Sequence, residues 1–347
     1  MDFKKILIIN PYGIGDVLFT TPVISNLRLA YPQASIAYLA NRRTADFLKL
    51  NRDLAQVFIY ERDEFVGSYQ KYIELFKGIK QESFDLVFDF SLNSSFGFLT
   101  AVCGIKMRVG FDYRGRGGFL THRVPLQGLE EKHVVEYYLD LLRFVQIPTR
   151  AMPMKLDVTP EEAQWAKEWL NKHQIDLFKP LIAVIPGGGA SWGKAAKYKR
   201  WSATKYAQLI DKIIENFDAA IILLGDSKEK ELCLEVASLA HFPLHLAVGE
   251  TSVLGLAALL IHCKGAIVND GGPLHVAVAA GVKTVSIFGP VDPLVYGPYP
   301  LANHTVVQKQ LPCQPCYRRF RMAHCEHISC LGELSVEEVY RKVKNIL

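Results

Sequence analysis

Lys5-Ile6-Leu7-Ile8-Ile9-Asn10-Pro11-Tyr12-Gly13-Ile14-Gly15-Asp16 is an apolar run that breaks into a glycine turn and ends on an acid. A second stretch repeats the plan near the other end of the chain: Gly265–Val268, then Asn269-Asp270-Gly271-Gly272-Pro273-Leu274-His275. Each reads as strand, tight turn and helix start. That geometry turns backbone N–H groups toward any anion in the adjoining crevice. Two such crevices, one carrying an acid and the other suited to a phosphate, point to transfer between two substrates.

Working outward, apolar runs alternate with segments of helical period. Strands are expected at Lys5–Ile9, Ser35–Ala40, Gln56–Tyr60, Asp85–Phe90 and Met107–Phe111, with helices between them such as Tyr69–Lys80 and His133–Val145. Thr159-Pro160-Glu161-Glu162 is a helix start in which threonine caps, proline takes the first turn and Glu162 can return a hydrogen bond. This helix, 159–174, is read as the link between domains. A second alternation follows: strands at Leu181–Ile185, Ala219–Leu224, Leu244–Val248, Ala266–Asn269 and Thr284–Phe288, and helices at Ser202–Phe217, Lys228–Leu239, Val253–Cys263 and Pro273–Ala280. Ser335-Val336-Glu337-Glu338 opens a terminal helix, 335–347, by the same capping logic. The expected fold is α/β: two doubly wound, Rossmann-like parallel-sheet domains, 1–158 and 159–347, facing a central cleft.

Bulk composition agrees with a two-domain globular enzyme. Of 347 residues half are hydrophobic and 22% charged, and the net charge is +5. It divides as +3 before residue 158 and +2 after it, so neither half is a basic nucleic-acid arm and no nucleic-acid partner is expected. Arg108, Arg114, Arg116 and Arg123 nonetheless cluster, either as solvated loop charge or as a face for an anionic substrate or lipid. Lys4 and Lys5 precede too short an apolar run for a secretory signal, and no run approaches the roughly 20 residues of a membrane span. A cytoplasmic protein is expected, with any membrane contact peripheral, at the inner face.

The chemistry-bearing motifs each have a plain alternative. Gly13-Ile14-Gly15 begins like a dinucleotide fingerprint, but Leu18 stands at the third glycine position and the second strand ends Ala40-Asn41 without an acid. What remains is Asp16 at a helix start, either a cap or a general base. Gly188-Gly189-Ala190-Ser191-Trp192-Gly193-Lys194-Ala195 narrowly misses a P-loop, because Ala195 replaces the hydroxyl needed for Mg²⁺. The loop instead permits close backbone approach to a ligand, with Gly188, Gly189 and Ser191 as candidate contacts. Lys197, Lys199 and Arg200 form a basic turn from which a cation could reach a leaving diphosphate. Glu229 could favour a helix dipole or accept hydrogen bonds from a ribose diol. Asp270, Gly271, Gly272, Pro273 and His275 make a helix N-terminus able to receive phosphate, although Asp270 could simply cap it and His275 could be a packed residue.

Seven cysteines are present. Cys103, Cys233 and Cys263 read as apolar fillers. Cys313, Cys316, Cys325 and Cys330 have spacings compatible with a structural zinc knuckle or with reduced thiols. No Asp-x-Asp occurs, so amino groups and helix dipoles rather than a metal are expected to neutralise a leaving diphosphate, and no cofactor is required.

Taken together, Gly13-Ile14-Gly15-Asp16-Val17-Leu18 with Thr20-Thr21-Pro22, Lys199-Arg200-Trp201, and Asp270 to His275 running on to Phe288-Gly289-Pro290-Val291-Asp292-Pro293 resemble glycosyltransferase family nine. These are the lipopolysaccharide heptosyltransferases, inverting enzymes of GT-B fold with an ADP-heptose donor. The resemblance spans nearly the whole chain. It implies Asp16 as catalytic base, Lys199 facing the donor phosphates, Glu229 at the adenosine ribose, and Asp270, Gly271, Gly272 and His275 lining the nucleotide pocket. Gly15 and the arginines would meet an anionic glycolipid acceptor. The loop Gly187-Gly188-Gly189 departs from the family, which often carries hydroxyl residues there. A P-loop-like phosphotransferase and a non-catalytic nucleotide-binding protein are the competing readings.

Overall fold

The computed structural model describes residues 2–65, 68–188 and 190–347, excluding the side chains of residues 65, 190 and 191. The chain divides into two compact units, Met1–Lys155 and Leu156–Leu347. In the first, β1 (Lys5–Ile9), β2 (Ser35–Ala40), β3 (Gln56–Ile59), β4 (Leu86–Asp89), β5 (Met107–Tyr113) and β6 (His122–Leu126) form one sheet. Its order is β3-β2-β1-β4-β5-β6, and every pairing is parallel. Helices cover both faces, which is why β1 tolerates Ile6, Leu7, Ile8 and Ile9 in unbroken succession, all fully buried.

The second unit repeats the plan with β7 (Leu181–Ile185), β8 (Ala220–Gly225), β9 (His245–Val248), β10 (Gly265–Asn269), β11 (Thr284–Phe288) and β12 (His304–Gln308). The order is β12-β11-β10-β7-β8-β9, again wholly parallel. Trp201 is buried in this core and donates from Nε1 to the Leu334 carbonyl at 3.1 Å, tying the core to the segment before the terminal helix. That helix, Val336–Val343, opens with the expected capping box: Ser335 and Glu338 exchange hydrogen bonds.

Within the two six-stranded sheets, β6 and β12 carry no apolar run in the sequence. Both lie at sheet edges, where one side is open and the polar residues His122, Arg123, His304 and Thr305 are tolerated. Pro125 within β6 is compatible only with such a position. Two local expectations also change. Thr159 caps the helix Pro160–Lys172 by accepting from Glu162 N at 3.1 Å, but the Glu162 carboxylate accepts the Ser252 hydroxyl instead of closing a box. The expected helix Lys228–Leu239 starts later, at Lys230, after a separate 3₁₀ turn Ser227–Glu229. Glu229 turns back to the Asp226 N–H and so ends that turn.

The strand order reverses between β1 and β4 in one sheet and between β7 and β10 in the other. Such reversals open a crevice at the carboxyl ends of the strands. Both glycine turns of the sequence lie there: Pro11–Asp16 follows β1, and Asp270–Gly272 follows β10.

Candidate active site

At the reversal in the second unit, three loops are bound together by buried polar side chains. Asn269, the last residue of β10, donates from Nδ2 to the carbonyls of Pro186 (2.7 Å) and Gly187 (3.0 Å), latching the loop after β7. Its Oδ1 accepts the Trp201 N–H at 3.4 Å. Glu229 is equally engaged. Its Oε1 accepts Gly188 N at 2.6 Å and lies 3.4 Å from Arg200 Nη2, while Oε2 accepts Asp226 N at 3.2 Å. Arg200 Nε donates to the Gly188 carbonyl at 3.2 Å. The loop presses so closely on the carboxylate that a Cβ at Gly187 would stand 2.2 Å from Glu229 Cδ. Gly188 occupies φ +111°, a conformation that glycine adopts without strain. Glu229 is therefore first a brace between the loops after β7 and β8.

Lys199 and Asp270 form the charged centre of this unit. Nζ and Oδ2 are 2.7 Å apart, with side chains only 9% and 4% exposed, and the ammonium lies 4.1 Å from the centroid of the Trp192 ring. Asp270 thus pairs with a lysine 71 residues away rather than capping the helix Gly272–Ala279, whose N-cap is Gly271 with no side-chain hydrogen bond. Pro273 lies in the first turn of that helix and His275 is buried on it. Gly189 and the side chain of Ser191 lie outside the described residues. The following segment forms 3₁₀ turns from Ala190 to Lys199, broken at Gly193, and the next helix begins only at Ala203 behind the cap Ser202. Lys194 is exposed and away from any helix start, which is not the geometry of a P-loop.

In the first unit the reversal is built in the same way, from a buried asparagine at the end of the central strand. Asn10 donates from Nδ2 to the Asp16 carbonyl at 3.0 Å and accepts Tyr12 N at 3.3 Å, which folds the turn. Asp16 sits half-buried in the short helical turn Ile14–Leu18 with Gly15 beside it. Its Oδ2 lies 3.4 Å from where a Cβ at Gly13 would be, so the carboxylate folds back over that glycine. The turn's N-cap is Gly13, which has no side chain to cap it, and Asp16 is the acid of its first turn.

Tyr12 and Asp89 join this group, and neither carries a motif that would have singled it out. The Tyr12 hydroxyl donates to the Ser91 carbonyl. Burial chiefly pushes its phenol up to about 12, with Asp89 and Asp16 adding to the rise and Arg116 opposing it. Asp89 is the last residue of β4 and is buried, which raises its carboxyl to about 6 despite a 2.8 Å hydrogen bond from Ser91 N. Asp16, Asp89, Tyr12 and Arg116 are thus one electrostatic cluster at the strand ends.

The four arginines are not equivalent. Arg108 spends its guanidinium on the carbonyls of Phe119 (2.7 Å) and Ile105 (2.5 Å), bracing the loop between β5 and β6. Burial lowers its pKa. Arg114 and Arg116 flank the Tyr113 ring at 4.9 and 5.9 Å and are exposed, as is Arg123 on β6.

The four late cysteines surround a small hairpin, β13 (Tyr317–Arg318) with β14 (Arg321–Met322). Cys316 Sγ lies 3.1 Å from the Cys313 carbonyl, and Ile328 N donates to Cys325 Sγ at 3.4 Å. Burial, reinforced by Cys313, Cys330 and Cys325, pushes the Cys316 thiol up to about 11, and burial also raises Cys330. All four are free thiols, and Cys316 and Cys330 favour the protonated form. Among the described residues no group of three His, Cys, Asp or Glu side chains is set to hold an ion. Cys233 and Cys263 are buried fillers as expected, and Cys103 is half-buried. Among the described residues, no helix is long and apolar enough to cross a membrane.

Residues 72–327 match the family model "Glycosyltransferase family 9 (heptosyltransferase)". The chain is 25% identical over 348 residues to lipooligosaccharide heptosyltransferase 2 of Campylobacter jejuni subsp. jejuni serotype O:2, covering 99% of this chain and 98% of that one. Among solved structures it resembles a glycosyl transferase family 9 protein from Veillonella parvula, with TM-score 0.85, 21% identity, and 100% and 98% of the two chains covered. It likewise resembles the E. coli ADP-heptose lps heptosyltransferase II, with TM-score 0.79, 22% identity, and 99% and 98% covered. These structural likenesses establish the GT-B fold expected from the sequence.

Proposed function

The chain belongs to glycosyltransferase family 9, and from that premise we propose that it moves a heptose or related sugar from an ADP-sugar to an anionic glycolipid of the lipopolysaccharide-core type. In this reading residues 1–158 hold the acceptor and 159–347 the donor. Two of the proteins named above, from Campylobacter jejuni and E. coli, are named heptosyltransferases, the latter for ADP-heptose. One observation carries the proposal: both glycine turns lie at strand-order reversals, one bearing Asp16 and the other bearing Asp270, which holds a buried lysine, Lys199.

Asp16 takes the proton of the acceptor hydroxyl as its oxygen bonds to the anomeric carbon. The bond from that carbon to the diphosphate breaks on the opposite face, its electron pair leaves with ADP, and the configuration inverts. Lys199 receives the departing charge. Its ammonium is held by Asp270 and the Trp192 ring at a fixed place, so little reorganisation is needed when phosphate arrives. The Gly271-Gly272-Pro273 helix start adds a partial positive charge, and Gly188, Gly189, Ser191 and His275 complete the nucleotide contacts. Glu229 meets the ribose only with lone pairs left over from bracing the loop. Arg114 and Arg116 receive acidic groups of the acceptor beside Asp16. Lys199 supplies the positive charge a metal would otherwise bring, so turnover is metal-independent, at the cytoplasmic side of a membrane.

The test is acceptor-dependent release of ADP from ADP-heptose, with the anomeric configuration of the product read by NMR. Asp16→Asn should lower turnover by about 10²–10⁴-fold while ADP affinity stays within a few-fold. Near-normal turnover in that variant, or a retained configuration, overturns the mechanism.

A further inference from the structure

We propose that the outer face of helix Ser94–Val102, together with the loop between β5 and β6, is a docking surface for an anionic lipid bilayer. Phe98 and Val102 stand one turn apart on this helix, 53% and 50% exposed. Phe119, 43% exposed, meets Phe98 edge-on from the loop with ring centroids 5.2 Å apart. The loop is held in that place rather than draped there. A Cβ at Gly97 would stand 3.3 Å from Phe119 Cβ, and Arg108 fixes the Phe119 carbonyl. Bare apolar side chains held together in water are characteristic of a surface that meets something.

The charge around them says what that is. Residues 94–123 contain Lys106, Arg108, Arg114, Arg116 and Arg123 against a single acid, Asp112. The Asp112 carboxylate is turned to its own loop, accepting Gly117 N at 2.9 Å. Lys106, Arg114, Arg116 and Arg123 are exposed. Aromatic rings that can sit at headgroup depth, in a segment rich in exposed cations with its acid turned inward, suit the interface of a bilayer containing acidic lipid. A second copy docking through the same face would set these cations against their own images, which disfavours it. The surface deepens the glycolipid reading, since an acceptor of that kind lies in a leaflet, but it is tested without catalysis.

The experiment is cosedimentation of the full chain with phosphatidylcholine vesicles, with and without phosphatidylglycerol. Binding is expected only to the anionic vesicles, falling as salt is raised. Phe98→Ser combined with Phe119→Ser should weaken it by about tenfold or more. Val102→Glu, which leaves the ring contact intact, should weaken it by roughly fivefold or more. Leu29→Ser, an equally exposed position on another helix, should leave binding unchanged. Absent binding, binding indifferent to both patch variants, or a dimer dissolved by those variants without vesicle binding would overturn the proposal. Vesicle binding without sugar transfer would leave this surface standing and overturn the activity. Transfer to a soluble acceptor analogue without vesicle binding would do the reverse.

Discussion

Replacing Asp270 with asparagine probes the donor site most directly, because it removes one half of a buried ion pair and keeps its shape. Lys199 Nζ and Asp270 Oδ2 are 2.7 Å apart with side chains 9% and 4% exposed, so solvent screens the pair little. After the change the ammonium keeps the Trp192 ring at 4.1 Å but loses its counter-charge. Breaking a buried pair from one side costs about 3–5 kcal/mol. The amide oxygen can still accept a hydrogen bond, which places Asp270→Asn near the lower figure. Lys199→Met should also destabilise, while the double variant should recover most of the loss, since an apolar replacement of both charges is close to neutral. The expected coupling is therefore about 2 kcal/mol or more. Urea unfolding followed by tryptophan fluorescence reports this unit alone, because Trp165, Trp169, Trp192 and Trp201 all lie after residue 156. ADP links the measurement to function. A saturating ligand stabilises the wild type by about 2.7 kcal/mol at a hundred times its Kd. It should stabilise Asp270→Asn by more, because the diphosphate then supplies the missing counter-charge, and Lys199→Met by less. Additive effects within about 0.5 kcal/mol, or an ADP increment equal in all variants, would refute the assignment of Lys199 to the phosphates.

Three other outcomes follow from the same geometry. Gly187→Ala puts a Cβ 2.2 Å from the Glu229 carboxylate and should cost about 2–3 kcal/mol; urea unfolding should show that penalty largely gone in a Glu229→Ala background. Asp89 is raised from 3.8 to about 6 by burial, so the folded state holds a proton there that the unfolded chain has released between these values. Its contribution is full below pH about 4 and is lost as pH rises through about 6, roughly 3 kcal/mol at most. Urea unfolding followed by circular dichroism should show that slope in the wild type and not in Asp89→Asn. Finally, ADP release should survive exhaustive EDTA treatment undiminished, and a loss reversed by a divalent cation would contradict the role given to Lys199.

Much of the fold is legible in the chain because its signals are local. Runs such as residues 6–9 and Leu181–Ile185 are apolar throughout, a composition that survives only where helices cover both faces of a parallel sheet. Glycine turns, caps such as Ser202 and Thr159, and the capping box at Ser335 act within four residues, so they too can be read in order. The edge strands β6 and β12 escape because an open edge asks for no apolar run.

What the sequence by itself determined is therefore the central strands and most of the helices between them, their two alternating blocks, and the two turns that could meet anions. Tertiary structure alone decided which strands adjoin, and with that which side chains share a crevice. Strand order brings β4 beside β1 and β10 beside β7, across gaps of roughly 80 residues. Only then does Asp270 acquire Lys199, Glu229 the Gly188 amide, and Tyr12 the charges of Asp89 and Arg116. The physical reason is one of range. Periodicity and capping act over a few angstroms of contiguous backbone, whereas a buried charge takes its state from whatever the fold packs beside it.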